Sequence, residues 1–193
     1  MLPPDDEIIR DIRMGAKHRF ALLVDRYKDR GLGLAIRMLK DRLIAEEALQ
    51  DAFVRAYNGL NGFQGSAKFG TWFYRILYNV CLTKLGERQG RYQTFDYEDG
   101  QDYSTNEMVG DPSIEQEIER KEMVTLLKAT IDEMPVKYST VLSLFYFQEL
   151  SHREICEVTR LSPGTVKIRL FRARAMLLRK LSVELQKEFV SIT

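Results

Sequence analysis

Residues 149–177 read ELSHREICEVTRLSPGTVKIRLFRARAML, and this stretch predicts two helices joined by a tight turn. Ser151 and Glu154 form a capping box, in which the serine oxygen accepts a hydrogen bond at the helix start and the glutamate reaches back to the cap residue. Ser162 followed by Pro163 is typical of a second helix start, with serine as N-cap and proline at the first helical position. Two helices with so short a connection fit a helix-turn-helix, although an ordinary helical hairpin carries the same signals.

The second helix combines a core face with a face suited to DNA. At about 100° per residue, its apolar side forms a stripe that must meet a core, comprising Val166, Leu170, Ala173, Leu177 and Leu181. The remaining side chains are basic, hydroxyl and apolar. Arginine can pair with guanine, threonine can donate to or accept from base edges, and apolar side chains can contact the thymine methyl group. Basic side chains can also bind phosphates. We therefore predict a contact with duplex DNA through Thr165, Lys167, Ile168, Arg169, Phe171, Arg172 and Arg174. The alternative is that Ile168 and Phe171 pack against another part of the chain.

Charge is segregated along the chain, although the net charge of the 193 residues is only +1. Segment by segment, the net charge is −2 over 1–13, +7 over 14–91, −8 over 92–120 and +4 over 121–193. The overlapping segment 87–112 is rich in Asp, Gln, Ser and Thr, a composition typical of a linker. We therefore predict two basic modules, 1–88 and 115–193, joined by a flexible acidic linker over 89–114.

The hydrophobic pattern is helical elsewhere too, so the predicted fold class is all-α, with two small helical domains. Over residues 42–58 one apolar stripe comprises Ala45, Ala48, Leu49, Ala52, Phe53 and Ala56, and the opposite face carries Glu47, Gln50, Asp51 and Val54. Asp111-Pro112 favours a helix start, and Pro135 is expected to stop that helix. The segment VKYSTVLSLFYF is strand-like by composition, but its neighbours and short connections favour a helix.

A glycine-rich loop and the aromatic helix after it form a second candidate site. Residues 59–68 interrupt the helical pattern with three glycines. The next helix, about 67–86, has a predicted core stripe of Phe69, Trp72, Phe73, Ile76 and Val80. Its other face interleaves Thr71, Tyr74, Arg75 and Tyr78, and such aromatic and basic groups stack bases and neutralise phosphates of single-stranded nucleic acid. The loop over 61–68 could form a pocket for an unstacked base, whereas the alternative is a set of surface tyrosines without a ligand.

Composition argues against several classes of protein. No run of about 18 apolar residues occurs, and the acidic N-terminus lacks the apolar segment of a secretory signal, so a cytoplasmic location is expected. Cys81 and Cys156 each lie in an apolar helical pattern and are predicted to be buried free thiols rather than a disulfide. His18 and His152 are far from each other and from clustered cysteines, so we expect neither a metal site nor a cofactor.

Three segments, in their order and spacing, carry a family resemblance: AEEALQDAFVRAYNGLNGF, FGTWFYRILYNV and ELSHREICEVTRLSPGTVKIRLFRARAML. They resemble an extracytoplasmic-function (ECF, group IV) bacterial sigma factor of the sigma-70 family. The resemblance covers roughly residues 8–88, as region 2, and 115–185, as region 4. Two independent modules agree, each with its own motif, so the resemblance is specific.

For region 2, the resemblance implies binding to core RNA polymerase and recognition of the −10 promoter element. The implied contact with the β′ clamp helices uses Glu47, Gln50, Asp51 and Val54. The implied −10 residues, which melt the duplex and read the non-template strand, are Asn61, Phe63, Gln64, Ser66, Lys68, Tyr74, Arg75, Tyr78 and Asn79. The segment VCLTKLGERQGR that follows is less basic than is usual in the family, so weaker backbone contacts are expected there.

For region 4, the resemblance implies recognition of the −35 element by the second helix of the helix-turn-helix and a contact with the polymerase β flap. The residues are those predicted above for duplex DNA. Ile168 stands where a small polar residue is common in the family, so the preferred −35 sequence is expected to differ. The linker would follow the RNA exit path. The absence of an added C-terminal sensor domain leads us to expect control by a separate anti-sigma factor.

Two other classes of function remain open to test. A dimeric helix-turn-helix regulator would bind duplex DNA without polymerase, but it would leave the aromatic loop and helix unexplained. An enzyme would need a catalytic constellation, and the chain has neither a phosphate-cradling glycine loop nor an HExxH motif. The nearest acidic group, Glu46, Glu47 and Asp51, reads as a solvated or partner-binding face. We therefore expect a chain without an active site, in which melting is driven by binding energy.

Overall fold

The computed structural model describes residues 3–89 and 125–191, and every regular element in these ranges is helical. In chain order the helices are α1 (Asp5–Arg13), α2 (Phe20–Leu39), α3 (Arg42–Gly59), α4 (Phe69–Gln89), α5 (helical over 125–132), α6 (Val136–Tyr146), α7 (His152–Thr159) and α8 (Pro163–Ser191). The all-α prediction is confirmed, including a helix for α6, whose composition is strand-like. The predicted linker lies outside the described residues apart from Gln89.

Helix ends follow local side-chain chemistry. Asp41 caps α3, because its Oδ1 accepts a hydrogen bond from the Ile44 N–H at 3.2 Å. Helix α2 ends at Lys40, which adopts left-handed backbone geometry with φ of 54° and so breaks the hydrogen-bond ladder. The turn from α2 to α3 is therefore short, and the two helices lie next to each other.

Helices α1–α4, the N-terminal unit, surround an aromatic core. Phe73 is fully buried, and its ring lies 4.6 Å from that of Phe53 and 6.2 Å from that of Phe69, centroid to centroid. Close helix packing depends on Gly31, where a Cβ atom would lie 2.8 Å from Leu49 Cδ1. The predicted core stripe of α3 is confirmed, because all six of its apolar residues are buried.

Helices α5–α8, the C-terminal unit, contain the predicted helix-turn-helix in α7 and α8. The capping box is confirmed: the Glu154 N–H donates to Ser151 Oγ at 3.3 Å, and the Ser151 N–H donates to Glu154 Oε2 at 2.9 Å. The N-cap of α8 is confirmed as well, since the Thr165 N–H donates to Ser162 Oγ at 3.2 Å. Arg160, with φ of 59°, makes the turn between the two helices.

The two units pack directly against each other. Helix α4 packs against α7, and α2 packs against α6. One continuous hydrophobic cluster includes Leu77 of α4 together with Val141 of α6 and Ile155 of α7. A second, smaller cluster lies within the C-terminal unit and comprises Ile131, Met134, Tyr138, Leu142 and Ala173.

The cysteines differ in burial. Cys81 is fully buried, and burial raises the pKa of its thiol to about 12. Cys156 is only half-buried, so the expectation of two buried thiols is wrong for it. Over residues 3–89 and 125–191, no helix combines the length and the apolar character required to cross a membrane.

Candidate nucleic-acid and protein interfaces

The outer face of α3 is open to solvent and carries an acidic and an apolar component. Glu47, Gln50 and Asp51 are exposed, as the helical period predicts, and Val54 is 59% exposed. Glu47 pairs with Lys84 of α4 at 3.2 Å, which fixes one carboxylate on this face. A contiguous face with carboxylates beside exposed apolar groups is suited to a basic protein surface with apolar contacts.

The loop between α3 and α4 exposes polar side chains and is anchored by one buried aromatic ring. Asn61, Gln64, Ser66 and Lys68 are exposed. Phe63 is not: it is 7% exposed, and its ring lies 5.0 Å from that of Trp72. An accessible side chain was expected at Phe63, and the structure instead uses it as the apolar anchor of the loop, because burying an aromatic ring in a short loop stabilises one loop conformation.

Arg13, at the end of α1, holds this loop in place, and sequence reasoning missed it. Its guanidinium donates to the Leu60 carbonyl oxygen at 2.9 Å and also to the Phe63 carbonyl oxygen. Backbone carbonyls of a loop are satisfied here by a side chain nearly fifty positions earlier in the sequence. No local pattern around Arg13 signals this contact, because its partners are backbone atoms.

The residues of α4 that were predicted to bind single-stranded DNA fall into an exposed group and a buried group. Arg75 and Asn79 are exposed. Tyr74 is 2% exposed and Tyr78 is 7% exposed, so the expectation of an accessible tyrosine face is wrong for this arrangement. The physical reasons differ: the Tyr74 ring packs against Tyr27 of α2 with a centroid distance of 5.9 Å, whereas Tyr78 lies beside Val141 and Arg169 of the C-terminal unit. Burial is also the main cause that raises the pKa of both phenols.

A signal for the second buried face of α4 is present in its sequence. Between Phe69 and Cys81, apolar and aromatic residues occupy most of the circumference of the helix, apart from the side with Arg75 and Asn79. A helix with so wide an apolar surface is buried on more than one side. The breadth of this apolar surface therefore indicates a second buried face, which contains Tyr74 and Tyr78.

A groove of about 570 Å³ runs between the loop and the helix-turn-helix. From the N-terminal unit it is lined by Gln64, Ser66 and Arg75, and from α7 and the following turn by Arg153, Glu157 and Arg160, among other residues. Trp72 forms part of its floor. The groove brings polar groups of the predicted −10 site next to basic groups of the helix-turn-helix.

On α8 the predicted DNA-contacting residues are partly accessible. Lys167 is exposed, whereas Thr165, Ile168, Phe171 and Arg172 are half-buried. Arg169 is 8% exposed, so the expectation that it flanks a DNA face is wrong for this arrangement. At about 100° per residue it lies about 60° from Val166 and about 40° from Ala173, close to the buried stripe. Its charge acts on Tyr78 of the N-terminal unit.

Arg174 is held against aromatic side chains of α6. Its Nε donates to Tyr146 Oη at 2.9 Å, and its guanidinium carbon lies 5.3 Å from the centre of the Phe145 ring. The half-buried guanidinium is thus oriented by cation–π and hydrogen-bond contacts. A phosphate would reach it only through its remaining N–H groups.

Glu154 joins the two units, a role that the capping box alone did not predict. Its Oε1 accepts a hydrogen bond from Thr71 Oγ1 at 3.0 Å and lies 3.7 Å from Lys68 Nζ. Burial raises the pKa of this carboxyl, but the hydrogen bonds from Ser151 and Thr71 and the charge of Lys68 outweigh it, so the pKa is lowered. Glu154 therefore remains ionised while it caps α7 and binds α4.

Comparison with known proteins assigns both units. Residues 23–91 match the family model described as Sigma-70 region 2, and residues 125–177 match the one described as Sigma-70, region 4. The chain is 34% identical to the RNA polymerase sigma-H factor of Pseudomonas aeruginosa over 173 residues. The aligned region covers 88% of this chain and 90% of that protein. It is 34% identical over 176 residues to the ECF RNA polymerase sigma factor SigW of Bacillus subtilis, covering 90% of this chain and 94% of SigW.

Solved structures share the fold. CnrH in complex with the cytosolic domain of CnrY matches with a TM-score of 0.61 and 21% identity, covering 93% of this chain and 97% of that one. The sigma factor RpoE from Bartonella quintana, solved with the anti-sigma factor NepR, matches with a TM-score of 0.61 and 17% identity, covering 85% and 97%. Two matched regions and about one-third identity to curated relatives over most of both chains show that this chain belongs to the ECF RNA polymerase sigma factors of the sigma-70 family.

Proposed function

We propose that the chain is an alternative sigma factor that docks on core RNA polymerase through α3 and reads the −10 and −35 elements with its two units. The observation that carries the proposal is the open outer face of α3, with Gln50, Asp51 and Val54 exposed next to a loop of exposed polar side chains. The partner of the α3 face would be the β′ clamp helices, and region 4 would contact the β flap. Such a role belongs in the cytoplasm.

The −10 site we propose uses the exposed loop and the exposed residues of α4. Asn61, Gln64 and Ser66 offer amide and hydroxyl groups for the Watson–Crick edge of an unstacked base. Lys68, Arg75 and Asn79 lie on the path of the adjoining backbone, where cations contribute affinity. Unstacking a base costs a few kcal/mol, which the hydrogen bonds of the loop and the phosphate contacts of Lys68 and Arg75 would offset.

The −35 site we propose is the N-terminal half of α8. Residues at the start of the second helix of a helix-turn-helix reach base edges in the major groove. Lys167 and Arg172 supply the charged groups, and Ile168 and Phe171 supply apolar contacts. The domains would correspond to residues 1–88 for region 2 and 115–193 for region 4.

We further propose control by an anti-sigma factor. RpoE was solved with the anti-sigma factor NepR, and CnrH with the cytosolic domain of CnrY. An anti-sigma factor for this chain would compete for the surfaces that polymerase and DNA need. The groove between the loop and α7 contains polar and basic groups from both units and is one place for such a protein to insert.

Reconstitution with core RNA polymerase tests the proposed function. Purified chain and core enzyme are incubated with a library of randomised promoters, and the transcripts are sequenced. We expect start sites that depend on this chain and share two sequence elements. Transcription that is no more specific than that of core enzyme alone would refute the proposal.

Arg172→Ala is expected to relax base preference in the −35 element. Loss of a guanidinium from a base edge costs about 1–3 kcal/mol of discrimination at that position. The measurement is promoter selection from the library by holoenzyme containing the variant. Lys167→Ala is the matched comparison: a phosphate-binding lysine should weaken binding equally for all sequences and lower its salt dependence. An Arg172→Ala holoenzyme with unaltered −35 preference would contradict the assignment.

Asn61→Ala is expected to change the preferred base at one position of the −10 element. Removing the exposed amide takes away a donor and an acceptor for the base edge, which is worth about 1–3 kcal/mol of discrimination. Asn58→Ala is the control, because Asn58 is also exposed but lies on α3 before the loop. Base frequencies in the selected −10 elements are compared between the two variants. Equal frequencies would count against a reading role for the loop.

A further inference from the structure

Arg13 bridges two carbonyl groups of the loop between α3 and α4. Its Nη2 donates to the Leu60 oxygen at 2.9 Å and also to the Phe63 oxygen. The Phe63 N–H donates to the same Leu60 oxygen at 3.2 Å, so residues 60–63 form a closed turn. Asn61 and Gly62, between the two carbonyl groups, are exposed. The backbone that carries Asn61 is therefore held on both sides by one guanidinium group.

The buried side chains that flank Asn61 do not by themselves orient this turn. Leu60 is 2% exposed and Phe63 is 7% exposed, and the Phe63 ring lies 6.0 Å from that of Phe69, centroid to centroid. Burial of these side chains fixes where the ends of the turn lie, but the peptide groups between them can still rotate about φ and ψ. Hydrogen bonds from a charged donor are stronger than those between neutral groups. Arg13 therefore determines the direction of the two carbonyl groups.

The position of Arg13 is itself fixed. It lies in the last turn of α1, and Ile12 beside it is 8% exposed. Helix α1 ends directly after it, because Gly15 adopts a φ of 108° and donates its N–H to the Ile12 oxygen at 3.0 Å. Asp11, on the same turn, pairs with Arg19 at the start of α2. The anchored end of α1 thus gives the guanidinium a firm base from which to hold the loop.

Arg10 shows that the contact is particular to Arg13. Arg10 lies on the same helix, nearly one turn earlier, and is also exposed, but its side chain makes no hydrogen bond or ion pair with the described part of the chain. An exposed arginine near a DNA-binding loop can also bind phosphate, which contributes affinity without sequence information. Positioning a base-reading group has a different consequence, because it changes sequence preference.

We propose that Arg13 is a positioning residue of the −10 site, which orients the peptide groups of residues 60–63 and thereby holds the Asn61 amide in one orientation toward the base. The inference rests on the proposed function, because that function assigns base reading to Asn61. In the holoenzyme, Arg13 contributes to the choice of one base. Its effect passes through Asn61, without a contact of its own to the base.

Arg13→Ala tests this role in holoenzyme assembled from the full-length chain and core RNA polymerase. Transcripts are sequenced from one promoter library with a randomised −10 element and from a second with a randomised −35 element. Without the guanidinium the turn loses both hydrogen bonds, and Asn61 samples several orientations. Enrichment of the preferred base at the position read by Asn61 is expected to fall roughly fivefold to tenfold, whereas the −35 preference remains that of the parent chain.

Arg13→Lys and Arg10→Ala are the matched variants. Lysine keeps the charge but replaces the planar guanidinium by a flexible point charge, so we expect part of the base preference to be lost. Arg10→Ala removes an arginine of the same helix that makes no contact with the loop, and we expect it to keep the preference of the parent chain. Circular dichroism and urea denaturation check that each variant remains folded.

The double variant Arg13→Ala with Asn61→Ala separates positioning from direct contact with DNA. If Arg13 acts through Asn61, its loss changes base preference no further once the amide has been removed. The salt dependence of promoter binding is measured as well. Loss of a phosphate contact lowers this dependence, whereas loss of a positioning residue leaves it unchanged.

The positioning role is supported if Arg13→Ala flattens the preference at that one position, Arg13→Lys does so in part, and the double variant matches Asn61→Ala. It is overturned if Arg13→Ala keeps the base frequencies of the parent chain. It is also overturned if Arg13→Ala weakens all −10 sequences equally and lowers the salt dependence, as a phosphate contact would. If the alanine variant does not fold, Arg13→Lys decides, and full parental preference in that variant overturns the role. Failure of the proposed function is distinct, because the parent holoenzyme would then lack promoter-specific transcription.

Discussion

Asp51→Lys is expected to abolish binding to core RNA polymerase while leaving the protein folded. Asp51 is exposed on the outer face of α3, between Glu47 and Val54, and makes no hydrogen bond or ion pair with the described part of the chain. Replacing its carboxylate therefore costs the fold little. A lysine at the centre of a surface that meets a basic partner places like charges together, which costs several kcal/mol.

Holoenzyme formation is measured by pull-down of core polymerase and by fluorescence anisotropy of the labelled sigma factor. We expect affinity to fall by about a hundredfold or more, since about 1.4 kcal/mol corresponds to a factor of ten. Asp29→Lys is the control, because it makes the same charge change at an exposed carboxylate of α2. Normal holoenzyme formation by Asp51→Lys would show that α3 is not the docking surface.

Phe73→Ala is expected to have the largest effect on stability. The ring is fully buried at the centre of the N-terminal unit and contacts Phe53, Phe69 and Tyr27, the last with a centroid distance of 5.6 Å. Removing it takes away the transfer free energy of the ring and leaves a cavity among rigid aromatic neighbours that cannot collapse. Such truncations cost about 3–5 kcal/mol, a large part of the 5–15 kcal/mol that stabilises an ordinary domain.

Urea denaturation followed by circular dichroism measures the free energy of unfolding. Leu178→Ala is the control, because Leu178 is 68% exposed and its loss should change stability by less than about 0.5 kcal/mol. If Phe73→Ala unfolds at the same urea concentration as the parent chain, the aromatic cluster does not carry the stability of the N-terminal unit.

Local chemistry made several features of this protein predictable. Ser151 with Glu154 and Ser162 with Pro163 specify two helix starts, because capping hydrogen bonds involve only residues three positions apart. The period of α3 separates its buried alanines from Asp51, because this helix has one core side and one open side. These signals were enough to place α7, α8 and the acidic face of α3.

The contact of Arg13 with the loop, by contrast, could not be read from sequence. Its partners are backbone carbonyl oxygens of Leu60 and Phe63, and every residue in the chain has the same carbonyl group. Which carbonyl a guanidinium reaches depends on where α1 lies relative to α3. That placement is set by packing of the whole N-terminal unit.

The sequence by itself determined the all-α class, the caps that start α7 and α8, the core stripe of α3 and the family resemblance. Only the tertiary structure decided which of the remaining faces are accessible: it buries Tyr74, Tyr78 and Arg169 and leaves Asp51 and Lys167 in solvent. The physical reason is that periodicity fixes the angle of a side chain about its own helix axis, whereas accessibility depends on what lies opposite. Tyr78 of α4 and Arg169 of α8 both lie at the boundary between the two units, where the opposing surface is far away in sequence.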